Sequence, residues 1–257
     1  MSDQEDRRPP SRRIADDLRA AITGGDLSDG DRLPSERELA SRYATARNTA
    51  REALGILQAE GLAVAQHGRG VFVRQRRPLV RMGRDRYSRQ ARDETGLSPF
   101  RIEVQQQGRT PHTECRSVTV VPPPADVADR LGLSPDQDVV RRENWYFADD
   151  EPVQVGVTFI PTAIVAGSPL ATEKKLGRGS IYQRFEDLGY PIAHIREEVS
   201  SRMPTPEELR GLAMPPGVPV IEVLHTSIDG NGRAFEVTRF VLRADVNGLD
   251  YEMPVDD

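Results

Sequence analysis

Arg47, Asn48, Arg51 and Gly55 recur at i, i+1, i+4 and i+8, so a helix here would carry two guanidinium forks, one amide and little bulk along one side. Such groups can read nucleic-acid bases. Arginine forms paired bonds to the major-groove edge of guanine, and asparagine to that of adenine. The competing reading is a solvated arginine face with weak repulsion between Arg47 and Arg51. Further on, "QHGRG" sets His67 and Arg69 around Gly68 in a tight turn, offering cations and backbone N–H groups to phosphates or a minor groove. His67 is equally readable as an ordinary loop histidine.

Covalent and metal chemistry find little support. The 4 histidines (His67, His112, His194, His225) are far apart, no H-x-x-x-H occurs and Cys115 is the sole cysteine, so no zinc site emerges. There is no G-x-S-x-G elbow, and no G-x-G-x-x-G follows a strand. Glu236 has the chemistry of a general acid, but anchoring a ligand or pairing with a cation is the commoner role. No metal and no cofactor are expected.

The elements that must hold these residues are legible around them. Ile14, Leu18, Ala21 and Ile22 repeat at i, i+4, i+7 and i+8, one buried helix face, closed by Gly24-Gly25. Ser35-Glu36-Arg37-Glu38 fits a capping box: Ser35 accepts from the Glu38 N–H and the Glu38 carboxylate returns the bond. Leu39, Ala40 and Tyr43 give the following helix its apolar side. A corner at Ala44-Thr45 leads to a third helix, with Ala46, Ala50, Ala53, Leu54 and Leu57 opposite the arginines and Gly61 at its end. Residues 62–65 and 71–73 read as strands of a hairpin around the turn. The pattern is helix, turn, recognition helix and wing.

Charge agrees with that division. The 257 residues carry a net charge of −5, yet residues 1–92 hold 19 Lys+Arg and 13 Asp+Glu, a net of +6, while residues 93–257 hold 16 and 27, a net of −11. A basic first third on an acidic body suits a two-part molecule of which one part meets a polyanion. Only Lys174 and Lys175 among the 35 basic residues are lysine, a skew expected of a GC-rich genome. No run approaches ~18 apolar residues, so no membrane span is expected. The opening "MSDQEDRRPPSRR" lacks the apolar core of a secretory signal. With one cysteine there is no internal disulfide, and a cytoplasmic location is expected.

Residues 12–74 resemble the winged helix of the GntR family of bacterial transcription regulators, on "RRIADDLRAAITGGDL", "GDRLPSERELASRY", "RNTAREALGILQAEGL" and "HGRGVFV". The resemblance implies DNA contacts from Ser35, Arg37, Arg47, Asn48, Thr49, Arg51 and the wing tip His67-Gly68-Arg69. Two departures matter. Ala46 replaces a common Ser, removing an N-cap worth about 1 kcal/mol unless Thr45 substitutes. Asn48 replaces a common Thr, which bears on base preference.

Residues 75–95 show little periodicity and hold seven arginines (Arg76, Arg77, Arg81, Arg84, Arg86, Arg89 and Arg92), the composition of an interdomain linker. Either they add phosphate contacts, visible in the salt dependence of binding, or they form a solvated connection.

Beyond the linker, residues 125–155 and 207–237 repeat each other weakly. Each reads helix, Pro-containing turn, strand, hairpin turn, strand, and together they imply an antiparallel sheet covered by helices on one face. Alternation sets Val153, Val155, Val157 and Phe159 against Gln154, Gly156 and Thr158, and groups Arg142, Asn144 and Tyr146 on one face. It likewise contrasts Phe235, Val237 and Val241 with Glu236, Thr238, Phe240 and Leu242. Gln154 and Glu236 become counterparts across a pseudo-twofold. A sheet face with polar groups among apolar ones suits a small-molecule pocket; a half-exposed face is the alternative.

Residues 97–252 resemble the effector-binding (UTRA) domain of the HutC branch of GntR regulators, a chorismate-lyase-like fold, on "PADVADRLGL", "DDEPVQVGVTFIP", "GSIYQRFEDLGYPI" and "GRAFEVTRFVLRADV". The resemblance implies a pocket at Phe100, Arg101, Asn144, Tyr146, Ser180, Tyr182 and Glu236, to which the sheet alternation adds Gln154. A helix start at Ser180 favours an anionic group. Members that bind sugar phosphates carry arginines where this chain has Asn144 and Tyr146, and Glu where it has Gly156. Their absence points to a less anionic, partly aromatic or lactone-like ligand.

The expected molecule is therefore α+β: an N-terminal winged helix-turn-helix (1–74), a linker (75–95), and an effector-binding and dimerisation domain (96–257) built as an antiparallel sheet with helices. It is expected to be a ligand-responsive DNA-binding transcription regulator, a repressor released from double-stranded operator DNA by a small-molecule effector. A homodimer would match two operator half-sites. A lyase fused to a DNA-binding domain and an architectural DNA-binding protein without ligand are the alternatives; fold alone does not license the first.

Overall fold

The computed structural model describes residues 8–66, 68–74, 78–82, 86–134, 136–178 and 180–253. The chain divides into two units, one of Met1–Arg77 with Met214–Val218, the other of Pro78–Ala213 with Pro219–Asp257.

The first unit contains α1 (Pro10–Thr23), α2 (Glu36–Arg42), α3 (Arg47–Ala59) and the antiparallel hairpin of β1 (Ala63–Gln66) and β2 (Gly70–Val73). Its core joins Ile14 and Leu18 of α1, Leu39 of α2, and Ala50, Ala53, Leu54 and Leu57 of α3. Alanine on the inner side of α3 leaves room for the helices to approach closely. The capping box closes α2: Ser35 N–H donates to Glu38 Oε2 at 2.7 Å and Glu38 N–H to Ser35 Oγ at 3.3 Å. Ala44 turns the corner at φ 48°, a left-handed conformation unusual for a residue with a Cβ. No side chain caps α3 at Ala46, so Thr45 does not substitute for the missing Ser. Arg32 extends the wing through a bridge to Phe72.

In the second unit, β3 (Leu79–Met82), α4 (Arg89–Thr95) and α5 (Pro99–Gln106) precede the main sheet. Then follow β4 (Pro111–Val121), α6 (Ala125–Leu131), β5 (Val139–Ala148), β6 (Glu151–Pro161), α7 (Thr162–Val165), α8 (Pro169–Thr172) and α9 (Ser180–Asp187). The chain continues through β7 (His194–Arg202), α10 (Pro206–Gly211), β8 (Val220–Ile228), β9 (Ala234–Arg243) and β10 (Asn247–Asp250). Six strands form one antiparallel sheet in the order β4-β5-β6-β9-β8-β7, and β10 pairs in parallel with β3. The order is a mirror. Strand, helix and hairpin (β4-α6-β5-β6) meet their repeat (β7-α10-β8-β9) at the β6–β9 seam, where Thr158 faces Thr238. The duplication thus extends one strand upstream of each repeated segment.

Helices cover both faces of this sheet, not one. Val127 and Leu131 of α6 pack on Val139 and Phe159, whereas Ile164, Val165, Leu170 and Phe185 pack on Val140 and Ile160. Those strand residues differ by one position and so face opposite ways. Phe235 departs from the expected alternation. A register irregularity between Ser227 and Ile228 sets it in the Val140–Ile160 cluster, away from Val237.

The expectation of an irregular linker over residues 75–95 fails for β3 and α4, which belong to the second unit. Three of the supposed phosphate-seeking arginines are buried. Arg81 pairs with Glu197, Arg86 with Glu103, and Arg92 with Glu186 at 2.5 Å. Their charges are spent inside the fold, where DNA cannot reach them. Arg76, Arg77 and Arg84, and the side chain of Arg89, lie outside the described residues.

Candidate functional site

The first unit presents a basic face. Arg47, Asn48 and Arg51 are exposed on α3, opposite its buried alanines, and Thr49 is half-buried in the first turn. Ser35, Arg37 and Arg47 line a cleft of about 490 Å³ that also takes in Glu36, Gly70 and Arg32. Among the described residues, Arg32, Arg37 and Arg47 have no carboxylate bonded to them. Arg51 differs: its Nε and Nη2 donate to the two carboxylate oxygens of Glu36 at 2.7 and 2.9 Å. That bond holds Glu36 below the usual carboxylate range and raises Arg51 further above neutrality. One of the two forks expected to be open is therefore occupied. At the wing, Gly68 (φ 72°) and Arg69 are exposed, and the Arg69 guanidinium lies 5.7 Å from the centre of the Phe72 ring. His67 lies outside the described residues.

The second unit encloses a cavity of about 700 Å³ between the sheet and the segments around α5, α8 and α9. Phe100, Arg101, Asn144, Tyr146, Tyr182 and Glu236 all line it, as the resemblance implies. α5 starts at a proline and buries Phe100, whose ring meets Tyr146 edge-on at 5.0 Å. β5 presents Arg142, Asn144 and Tyr146 to the cavity by alternation. Burial pushes the Tyr146 hydroxyl up to about 12 and that of Tyr182 well above its ordinary value. Both therefore remain phenols at neutral pH and can donate to a ligand. Gly156 has a steric task here. A Cβ on it would meet the Phe240 ring at 2.9 Å and Tyr146 at 3.2 Å, so glycine lets both rings lie against β6.

Two expected residues do not behave as expected. Gln154 is buried but does not line the cavity. It sits one step past Gly156 on the same face, beyond the point where the rings of Tyr146 and Phe240 close over the strand. Ser180 opens α9, but its side chain lies outside the described residues; Ile181 and Tyr182 of that helix line the cavity.

The charge of the cavity also differs. Asn144 and Tyr146 do replace arginines, yet Arg101, Arg116, Arg142, Lys174 and Lys175 line the space against only Glu114 and Glu236, while Arg86, also in the lining, is paired with Glu103. Cations thus arrive from other elements, which weighs against the expectation of a weakly anionic ligand. The aromatic part of that expectation fits the lining by Phe100, Tyr146, Tyr182 and Phe240.

Behind Glu236 runs a buried polar network. Ser227 Oγ donates to Glu236 Oε2 at 2.6 Å, and Thr238 Oγ1 donates to its other oxygen. His225, fully buried, has Nε2 at 3.2 Å from Ser227 Oγ and Nδ1 at 3.1 Å from Glu197 Oε1. Glu197 in turn accepts from Tyr87 at 3.1 Å and Tyr251 at 2.6 Å, and pairs with Arg81 of β3. Tyr87 stacks on His225 with ring centres 5.3 Å apart. Alternation of Glu236 and Thr238 hinted at the cavity end. Nothing local hinted at Arg81 or Tyr87, whose contacts with Glu197 cross more than a hundred residues.

Comparison with known proteins matches both units. Residues 106–246 match the UTRA domain and residues 10–73 match the bacterial regulatory proteins of the gntR family. The chain is 30% identical to an uncharacterized HTH-type transcriptional regulator of Streptomyces coelicolor, over 95% of each chain. It is 29% identical to the HTH-type transcriptional repressor NagR of Bacillus subtilis, over 90% of this chain and 89% of that one. Among solved structures, a GntR-family transcriptional regulator superposes with a TM-score of 0.65 at 27% identity, covering 97% of this chain and 99% of that one. PhnF from Mycobacterium smegmatis shares the fold at a TM-score of 0.59 and 20% identity, covering 95% of this chain and 100% of that one.

Proposed function

This chain belongs to the GntR family of bacterial regulatory proteins, and from that premise we propose how its two units divide the work. The protein is a ligand-responsive, DNA-binding transcription regulator, not an enzyme. Its first unit docks α3 in the major groove of an operator, with Arg47 and Asn48 toward base edges and Thr49, Ser35, Arg37 and Arg32 toward flanking phosphates. The wing tip, His67 to Arg69, follows the adjacent backbone. Arg51 joins them when it exchanges Glu36 for DNA. The observation that carries this reading is the exposed α3 face, where no carboxylate among the described residues is bonded to Arg47, beside a cleft edged by Arg32 and Arg37.

The cavity of the second unit receives the effector, over Phe100, Tyr146 and Tyr182 and against Asn144, Arg101 and Glu236. The protein acts in the cytoplasm as a homodimer and a repressor. Twofold symmetry suits a two-half-site operator, and a relative of similar length is named a repressor. Effector and DNA then alter each other's affinity by the same factor.

The test is binding to operator fragments selected from genomic DNA by the purified protein. Arg47→Ala should cost about 1–3 kcal/mol on the selected site and relax preference at one base pair. An equal loss on random DNA would instead make Arg47 a phosphate contact.

A further inference from the structure

The geometry points to an organic anion as the occupant of the second unit's cavity, with its anionic group received between Arg142 and the pair Lys174–Lys175. This deepens, and rests on, the assignment of that cavity to the effector. Among the described residues, five arginines of the unit are buried: Arg81, Arg86, Arg92, Arg142 and Arg243. Four have carboxylate partners, namely Glu197, Glu103, Glu186 and, for Arg243, Asp245 with Glu151. Arg142 has none among the described residues. It is 1% exposed, its Nη1 donates to the Leu170 carbonyl at 2.7 Å and its Nη2 to the Glu173 carbonyl at 2.8 Å. Cys115 Sγ is 3.9 Å away, and Nε is buried without a partner.

A desolvated cation with only neutral partners is costly unless a counter-charge arrives. Burial accordingly lowers the Arg142 pKa. The same two carbonyls tie down the stretch after α8, and the next residues are Lys174 and Lys175, both exposed and both lining the cavity. One guanidinium thus adds its own charge and holds the segment that supplies two more. Nearby acids do not neutralise them. Glu114 is engaged by His112 at 3.2 Å and Arg116 at 3.8 Å, and Glu236 is held by the uncharged hydroxyls of Ser227 and Thr238 rather than by Arg142 or the lysines. The aromatic lining offers the rest of the ligand an apolar surface of rings set edge-on and tilted to one another. The ligand class is a carboxylate, sulfonate or phosphate monoester on an apolar body.

Two fluorescent probes of one ring system separate the possibilities: 8-anilinonaphthalene-1-sulfonate, and neutral N-phenyl-1-naphthylamine, which lacks the sulfonate. Each is titrated into the full-length wild type, Lys174→Gln/Lys175→Gln, Arg142→Met, and a control, Arg210→Gln/Arg233→Gln, that removes two exposed charges elsewhere on the unit. The wild type should bind the sulfonate more tightly than the neutral probe. The lysine variant should lose about tenfold in sulfonate affinity, as expected for charged hydrogen bonds, with the neutral probe unaffected. The control should match the wild type. Arg142→Met should behave like the lysine variant, and if it fails to fold, the lysine variant, altered only at exposed positions, still decides. Equal affinity for the two probes, or a sulfonate affinity indifferent to the lysines or lowered as much by the control, overturns the inference while leaving a neutral-ligand cavity intact. Binding of neither probe overturns the effector cavity as well.

Discussion

Replacing Glu197 by glutamine asks whether charge holds together the network behind the cavity. Glu197 is nearly buried and faces Arg81, Tyr87, Tyr251 and His225. Burial alone would raise its pKa, but the bond from His225, the charge on Arg81 and the bond from Tyr251 outweigh burial and hold it well below the usual carboxylate range. Glu197→Gln keeps the shape and removes the charge, leaving Arg81, 4% exposed, without its carboxylate. Breaking a buried pair from one side costs about 3–5 kcal/mol. At about 2–4 °C per kcal/mol for a unit of this size, Tm should fall by about 6–20 °C at neutral pH. The pH dependence has a definite direction. Because the folded pKa lies below the unfolded one, the stabilisation is complete above the unfolded value, about 4.3, and drains away as pH falls. The wild type should therefore lose more stability than the variant between about pH 5 and about pH 3. Scanning calorimetry of both proteins across that range is the assay. Parallel pH profiles, or a neutral-pH Tm within about 3 °C of the wild type, would refute the argument.

Glu36→Gln removes an acid from the side proposed to face DNA and frees the Arg51 fork. Operator binding should tighten and the log–log salt slope should steepen by about 0.9, with little change in Tm because the pair is exposed; an unchanged slope counts against a DNA role for Arg51. Ala46→Ser restores the missing cap of α3 and should add about 1 kcal/mol of stability by urea denaturation; no gain would mean that the hydroxyl does not reach the first-turn N–H groups. Gly156→Ala forces a methyl group into the Phe240 and Tyr146 rings and should cost about 1–3 kcal/mol, together with loss of effector response in a DNA-release assay; wild-type stability would show that the rings can move aside.

The DNA-binding unit was legible because its signals are local. The alanine stripe of α3, the Ser35–Glu38 box and the turn glycines act within a few residues, so spacing alone sets helix faces and ends. What spacing missed there was the Arg51–Glu36 pair, formed between two helices. Residues 75–95 misled for the same reason on a larger scale. Arg81 and Arg92 find their acids 116 and 94 residues away, and a segment whose partners are that distant shows no periodicity of its own. In the cavity, alternation correctly grouped Arg142, Asn144 and Tyr146, but parity says nothing about depth. Gln154 shares the parity of Thr158 and lies beyond the aromatic rings, while Lys174 and Lys175 enter from a loop that no strand pattern could assign.

Strand register joins these observations. Arg142 faces Thr158, Thr158 faces Thr238, Thr238 faces His225 and His225 faces Glu197, so one row of polar side chains crosses five strands on the cavity side of the sheet. The buried arginine at one end has no acid among the described residues; the carboxylate at the other end holds Arg81 of β3, the first element of the second unit in chain order. Glu236 stands beside the middle of this row, bonded to Thr238 and to Ser227. A ligand group that donates to Glu236 must compete with those two hydroxyls, and Ser227 is within 3.2 Å of His225. Such a ligand therefore meets the hydroxyl that leads through His225 to Glu197 and Arg81. A ligand that fills the cavity without disturbing Glu236 or Arg142 makes no differential contact along the row, and however tightly it binds it shifts no equilibrium by this route. If this row carries the coupling, affinity for the cavity and power to release DNA are separable properties.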